Sequence, residues 1–158
     1  NASVQMAAQL LAPFESRVQV RSLESLAIEL TFVTAKGTPI LLIDDNPDIR
    51  YLFRRYASDS GFHIIDSDDG ANIVELAQQF QVAAIIVDIM MPALDGWELI
   101  AKLRHHPATE SIPIVVCTIL PQQDLSYHLG VASFMQKPVS RTTFLATLKS
   151  LFPSHEYR

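Results

Sequence analysis

Buried-strand and helical patterns alternate five times after residue 38, and this alternation limits the fold more than any other feature. Short apolar runs of strand type lie at 39–43, 62–66, 82–87, 112–117 and 132–135. Because apolar strands alternate with helices, the pattern predicts an α/β domain whose parallel sheet is covered on both faces. Right-handed crossovers then favour a five-stranded, doubly wound sheet of strand order 2-1-3-4-5.

Several residues at the helix ends agree with this pattern. Asn46 followed by Pro47 is typical of an N-cap and a first helical position. Gly61 predicts the end of that helix, and Ser140 predicts the cap of the last one. The fourth predicted helix, at 124–129, is short and weakly periodic, and it ends at Gly130.

The first 37 residues do not follow the repeat. Strict alternation predicts a half-buried strand at 26–33, weaker alternation covers 17–21, and residues 3–11 suggest a short helix. Two strands and a helix do not fold alone. We therefore expect 1–37 to be an N-terminal extension, either the tail of a preceding domain or an arm that packs on a neighbour or dimer partner.

Composition and charge exclude several classes of protein. Hydrophobic residues make up 49% of the chain and the formal net charge is −5, with all ten aspartates from Asp44 onward. This excludes a disordered chain and gives no broad attraction for nucleic acid. No apolar stretch is long enough to span a membrane. A lone Cys117 and the lack of a signal-peptide pattern predict a cytoplasmic location.

Three aspartates follow strands that the predicted order makes neighbours. Asp44 and Asp45 end the first strand, and Asp88 ends the third. We expect the three carboxylates to meet at the carboxyl edge of the sheet, where sites form in such folds. Like charges this close disfavour ionisation unless a cation joins them, and Mg²⁺ prefers oxygen ligands of this kind.

Two further polar residues are expected at the same edge. Thr118 ends the fourth strand, and Lys137 follows the fifth. A metal ion, an ammonium and a hydroxyl around carboxylates are suited to handling a phosphoryl group, because the cations neutralise its oxygens while a carboxylate attacks. Chance surface placement explains any one of these residues, but not all five at the correct strand ends.

These residues resemble the receiver domain of two-component response regulators. The matching motifs are LIDDN at 42–46, VDIMMP at 87–92, DG at 95–96, Thr118 and Lys137-Pro138. The resemblance covers 38–153 and leaves 154–158 as a tail. It implies a flavodoxin-like fold and phosphorylation of Asp88 by a histidine kinase or phosphotransfer protein.

The resemblance also implies roles for the remaining site residues. Asp45 and Asp88 would bind Mg²⁺ or Mn²⁺ directly, Asp44 directly or through water, and Met90 through its backbone carbonyl. Lys137 would pair with the phosphoryl group, and a cis peptide bond would precede Pro138.

Activation, by the same resemblance, would move Thr118 towards the phosphoryl group. Phe134 stands where the family often has a switch ring. The output would be a shift of the face formed by the fourth helix, the fifth strand and the last helix.

Two departures from the family pattern fall near this switch. Ile119 replaces a residue that is usually small, and we expect its branched side chain to narrow access to Asp88 or alter loop movement. The interval from Thr118 to Lys137 is about three residues shorter than in the family, so we expect a short or irregular fourth helix. A homodimer is left open, without the family's standard geometry.

Other functions remain as alternatives. A pseudo-receiver would act as an interaction module without phosphate. A haloacid-dehalogenase-like phosphatase needs a second Asp two residues after its nucleophile, where this chain has Met90. We expect no enzyme activity beyond phosphorylation and dephosphorylation of its own aspartate, and no binding to nucleic acid or membrane. The extra residues before the domain suit a C-terminal receiver of a hybrid kinase or multidomain regulator; a stand-alone regulator with an N-terminal arm is the alternative.

Overall fold

The computed structural model describes residues 19–22, 28–31, 37–92, 94–120 and 130–152. The chain divides into two compact units, 1–36 and 37–158. In the first unit, strands β1 (Gln19–Ser22) and β2 (Ile28–Thr31) form an antiparallel pair. Strand β2 lies within the segment whose alternation predicted a strand. The helix predicted at 3–11 lies outside the described residues.

The second unit contains a five-stranded parallel sheet. The strands of this sheet are β3 (Thr38–Ile43), β4 (Phe62–Ser67), β5 (Ala84–Val87), β8 (Ile114–Thr118) and β9 (Ser133–Gln136). Between β5 and β8, the short strands β6 (Met90–Met91) and β7 (Leu94–Asp95) form a separate hairpin. The sheet order is β4-β3-β5-β8-β9, with all neighbours parallel. This is the predicted order 2-1-3-4-5, so the predicted fold class is confirmed.

The helices among the described residues of this unit are α1 (Pro47–Ala57), α2 (Ile73–Gln79), α3 (Gly96–His105) and α4 (Arg141–Leu151). The side chain of Asn46 accepts a hydrogen bond from the backbone N–H of Asp48 at 2.9 Å, as its predicted N-cap role requires. Helix α1 ends at Ala57, earlier than the predicted stop at Gly61. A turn follows the helix, and the φ of +80° at Gly61 falls there instead. The predicted helix at 124–129 lies outside the described residues.

Side chains that alternate along the strands divide the core into two layers. From β3, Leu41 and Ile43 pack on the side of α2 and α3, and Ile40 and Leu42 on the side of α1 and α4. All four are fully buried. Burial on both faces explains why the strands read as continuous apolar runs rather than alternating ones.

The parallel arrangement brings the carboxyl ends of β3, β5, β8 and β9 to one edge of the sheet. The polar residues predicted to form a site lie at these four strand ends or directly after them. Within the described ranges, no helix combines the length and the apolar character needed to cross a membrane.

Candidate functional site

The ammonium of Lys137 joins two of the predicted carboxylates. Its Nζ lies 2.8 Å from Oδ2 of Asp44 and 2.6 Å from Oδ2 of Asp88. The side chain of Asp44 is fully buried, and those of Asp88 and Lys137 are 6% and 13% exposed. Charged hydrogen bonds in so little water are stronger than exposed ones and hold the three groups in one geometry.

Local backbone contacts orient the other oxygens of the two carboxylates. The backbone N–H of Asn46 donates to Oδ1 of Asp44 at 2.9 Å, and that of Met90 donates to Oδ1 of Asp88 at 2.8 Å. Each bond joins residues two positions apart, where the chain turns after its strand. The polypeptide therefore directs both carboxylates towards one space at the sheet edge.

The third predicted carboxylate completes a group with the chemistry of a cation site. Oxygen atoms of Asp44, Asp45 and Asp88 all lie within 4.8 Å of one another. Asp45 is exposed, whereas the other two are buried. An oxygen-only donor set with one side open to water fits Mg²⁺, which keeps several of its own waters.

Burial and ion pairing shift the pKa values in the site. Burial raises the pKa of the Asp44 carboxyl above its usual value, and hydrogen bonds from Lys137 and from the N–H of Asn46 only partly oppose this. Burial also disfavours the charged form of Lys137. The two carboxylates outweigh that effect, and the pKa of Lys137 is raised.

Thr118 is buried at the end of β8, with a relative exposure of 2%. Its Oγ1 accepts a hydrogen bond from the N–H of Leu120 at 3.2 Å, and its carbonyl accepts one from the N–H of Lys137 at 2.8 Å. The peptide bond between Lys137 and Pro138 is cis. The ends of β8 and β9 are thus tied together beside the carboxylates.

The remaining predicted residues lie around this edge. Ile119 is 62% exposed and Met90 50% exposed, and Phe134 is half-buried against the core layer of α2 and α3. The narrowing of access by Ile119, the carbonyl role of Met90 and the switch role of Phe134 stay predictions. The shortened segment between Thr118 and Lys137 falls largely on residues 121–129, outside the described part of the chain.

A family model described as "Response regulator receiver domain" matches residues 40–149. The chain belongs to this family.

Curated relatives and solved structures agree with the receiver family. The chain is 30% identical over 122 residues to the transcriptional regulatory protein GltR of Pseudomonas aeruginosa, covering 75% of this chain and 50% of GltR. Chemotaxis protein CheY4 of Vibrio cholerae has the same fold, with a TM-score of 0.66 and 24% identity over 73% of this chain and 98% of CheY4. The receiver domain thus spans about half the length of the first curated relatives.

One solved receiver domain of similar fold is described with a bound metal ion. It is the receiver domain of sensor histidine kinase PA1611 from Pseudomonas aeruginosa, with magnesium coordinated in the active site cleft. The TM-score is 0.65 and the identity 24%, over 75% of this chain and 99% of that domain. At this identity the comparison establishes a shared fold.

Sequence reasoning gave no role to two residues that support the site of this receiver domain. Arg50 donates from Nη1 to the carbonyl of Asp44 at 2.7 Å. A Cβ on Gly96 would lie 2.7 Å from the carbonyl oxygen of Asp88 and 2.4 Å from the Cα of Ile89, so only glycine fits there. The Gly96 signal was present in the DG motif, whereas nothing in the sequence marks the arginine.

A cavity of about 570 Å³ opens beside Asp45, between the end of β4, the β6–β7 hairpin and α3. Its charged lining residues are Asp45, Asp68, Asp69, Glu98 and Lys102. Four carboxylates against one ammonium favour cations over anions in this space. The open side of the carboxylate site formed by Asp44, Asp45 and Asp88 is therefore electrostatically suited to the entry of a cation.

Proposed function

We propose that this receiver domain is a phosphoacceptor, in which Asp88 receives a phosphoryl group from a histidine kinase or a phosphotransfer protein. The single observation that carries the proposal is the bridge from Lys137 to both Asp44 and Asp88, beside the carboxylate of Asp45. A lysine at this position is already aligned to pair with oxygens that a phosphoryl group on Asp88 would bring.

The proposed step is an in-line transfer. A carboxylate oxygen of Asp88 attacks phosphorus, its new bond to phosphorus forms, and the bond from phosphorus to the imidazole nitrogen of the donor breaks. The imidazole leaves with the electron pair of that bond and takes a proton from solvent. Lys137 then shifts towards the phosphoryl oxygens and offsets their charge.

Asp44, Asp45 and Asp88, with the carbonyl of Met90, are the residues that would hold Mg²⁺ or Mn²⁺. The bound ion would supply positive charge to the phosphoryl oxygens. The oxygen-only donor set and the magnesium described in the PA1611 receiver support this assignment. The acid required of a haloacid-dehalogenase-like phosphatase has no counterpart at Met90, whose N–H instead donates to Asp88.

The signal would pass from the phosphoryl group to the edge of the sheet beyond β8. Phosphorylation adds about −1.5 to −2 charges and strong acceptors beside Thr118. The Thr118 hydroxyl, which now accepts from Leu120 N–H, would turn to donate to the phosphoryl group. Movement of this loop and rotation of Phe134 would shift the population of states on the face expected from the fourth predicted helix, β9 and α4.

The proposed domain plan assigns 38–153 to the receiver, 1–37 to a preceding domain or arm, and 154–158 to a tail. Its chemistry would be limited to its own aspartate, and its partners would be the phosphodonor and the output that reads the shifted face. Because it spans about half the length of its first curated relatives, the domain would work as one part of a multidomain regulator.

Intact mass spectrometry after incubation with acetyl phosphate and Mg²⁺ tests the proposal. We expect the wild type to gain one phosphoryl group, and to lose the gain when Mg²⁺ is chelated. Asp88→Asn should show no gain, whereas Asp59→Asn, an exposed aspartate in the turn after α1, should match the wild type. A wild type without any gain, or an equal gain in Asp88→Asn, would contradict the proposal. Failure to bind beryllofluoride as well would indicate a pseudo-receiver.

A further inference from the structure

The guanidinium group of Arg50 connects the carboxylate site, at Asp44, to Asp66 near the end of the neighbouring strand β4. Its Nη1 donates to the carbonyl of Asp44 at 2.7 Å, and its Nε pairs with Oδ2 of Asp66 at 3.1 Å. The side chains of Arg50 and Asp66 are each 16% exposed. Two contacts in different directions from one rigid plane use the planar fork of arginine, which lysine lacks.

The contact with Arg50 completes the set of bonds around Asp44. The N–H of Asp44 donates to the carbonyl of Ser67 at 3.2 Å, and its carboxylate accepts from Asn46 and Lys137. The carbonyl is the remaining polar group, and it belongs to the peptide that joins Asp44 to Asp45. Holding this oxygen fixes the plane of that peptide.

Asp45 depends on its backbone for its direction. It is exposed, and among the described residues no hydrogen bond or ion pair is shown to its carboxylate. Its oxygen nevertheless lies within 4.8 Å of those of Asp44 and Asp88. A rotation of the preceding peptide would carry this side chain away from the other two carboxylates.

We propose that Arg50 is a positioning residue for the metal site. By holding the carbonyl of Asp44 it keeps the carboxylate of Asp45 aligned with the other two, and Asp66 keeps the guanidinium in place. The inference rests on the proposed function, because it assumes that these carboxylates bind a divalent cation.

Arg54 supplies a matched control. It lies one turn further along α1, and its Nη1 pairs with the other oxygen of Asp66 at 2.6 Å. Within the described residues it shows no contact with Asp44 or Asp45. A role of Arg50 limited to the stability of α1 or to the ion pair with Asp66 would be shared by Arg54, whereas a role in orienting the metal ligands would not.

The test is calorimetric titration of the full chain with Mg²⁺, without phosphodonor, together with thermal unfolding of each variant. We expect Arg50→Gln to weaken Mg²⁺ affinity roughly tenfold, as loss of outer partners of metal ligands commonly does. Arg50→Lys should show most of the same loss, since it keeps the charge but not the fork. Asp66→Asn should show an intermediate loss, and Arg54→Gln should keep the wild-type affinity.

A second measurement separates positioning from chemistry. With acetyl phosphate, Arg50→Gln should need more Mg²⁺ for half-maximal phosphorylation but reach the wild-type maximal rate. Equal affinities in Arg50→Gln and Arg54→Gln would overturn the inference, and so would full rescue by Arg50→Lys. If Arg50→Gln does not fold, Arg50→Lys and Asp66→Asn decide the question. A wild type that binds Mg²⁺ without accepting phosphate would contradict the proposed function alone, and one that does not bind Mg²⁺ would overturn this inference too.

Discussion

Lys137 lies 2.8 Å from Asp44, a carboxylate with no exposure to solvent, although the two residues are 93 positions apart in the chain. Asp44 directly follows β3, the first strand of the sheet in the chain, and Lys137 directly follows β9, the last. The ammonium therefore offsets a charge that burial makes costly, and it does so beside the proposed phosphoacceptor Asp88.

Replacement of Lys137 should destabilise the folded protein, because the buried carboxylate of Asp44 would lose the ammonium that offsets its charge. We expect Lys137→Met to lower the free energy of unfolding by about 2 kcal/mol in metal-free buffer, because two carboxylates lose a charged partner. Added Mg²⁺ should return part of the loss. Urea unfolding with and without Mg²⁺ measures both effects. Lys102→Met, on the exposed side of α3, is the control for the measurement in metal-free buffer. Equal stability of the two variants would show that the bridge is weak.

The raised pKa of Asp44 predicts that replacing this residue by a neutral one stabilises the folded protein, by an amount that depends on pH. The folded protein binds a proton on Asp44 more tightly than the unfolded chain does. Protonation of Asp44 therefore gives its full stabilising effect below the ordinary aspartate pKa of 3.8, and this effect is lost as the pH rises through the raised pKa of the folded state. Asp44→Asn should therefore stabilise the metal-free protein at pH 7. The gain should shrink as the pH falls towards about 4.

Urea unfolding over this pH range measures the effect, with Asp59→Asn as the exposed control. A constant gain across the range would mean that burial of the Asp44 charge is not its source. The sign should reverse with Mg²⁺, which stabilises the wild type by binding it and not the unfolded chain.

Close packing beneath Asp88 predicts a strong effect of a single methyl group. We expect Gly96→Ala to destabilise the domain by about 2 kcal/mol and to slow phosphorylation, because backbone atoms of Asp88 and Ile89 would have to move. Gly70→Ala is the matched comparison. Its Cβ would meet methyl groups of Leu94 and Leu99 at 2.6 and 2.8 Å, and side chains move more easily than backbone. Thermal unfolding and initial phosphorylation rates measure the effect. Equal values for Gly96→Ala and Gly70→Ala would mean that the backbone of Asp88 and Ile89 adjusts freely to the added methyl group.

Shortening Ile119, the exposed branched residue after Thr118, is expected to speed phosphorylation of Asp88. Ile119 is 62% exposed, so Ile119→Ala should cost little stability. If its side chain narrows access to Asp88, the alanine variant should gain phosphate from acetyl phosphate faster. Tyr51→Ala, another exposed apolar side chain, on α1, is the control. An unchanged rate in Ile119→Ala would assign no gating role to this position.

Local patterns were sufficient to predict the architecture and the main members of the candidate site. The apolar runs, with Asn46 and Ser140 as caps, marked the strands and helix starts, and the order of a parallel sheet follows from few allowed crossovers. Strand ends then predicted the positions of Asp44, Asp88 and Lys137. The end of α1 was predicted less well, because a glycine marks a turn more reliably than the last helical residue.

Residue identities and spacing along the chain thus determined the fold class, the sheet order and the acidic, lysine and hydroxyl residues at one edge. Only the tertiary structure decided which atoms meet: Lys137 with two carboxylates and Arg50 with the carbonyl of Asp44. It also placed Gly96 so close to the backbone of Asp88 and Ile89 that a Cβ does not fit. The physical reason is that strand periodicity specifies which face and end of an element a side chain occupies, while a contact of 2.6–2.8 Å depends on how separate elements pack. That packing is the sum of many small interactions distant in the sequence.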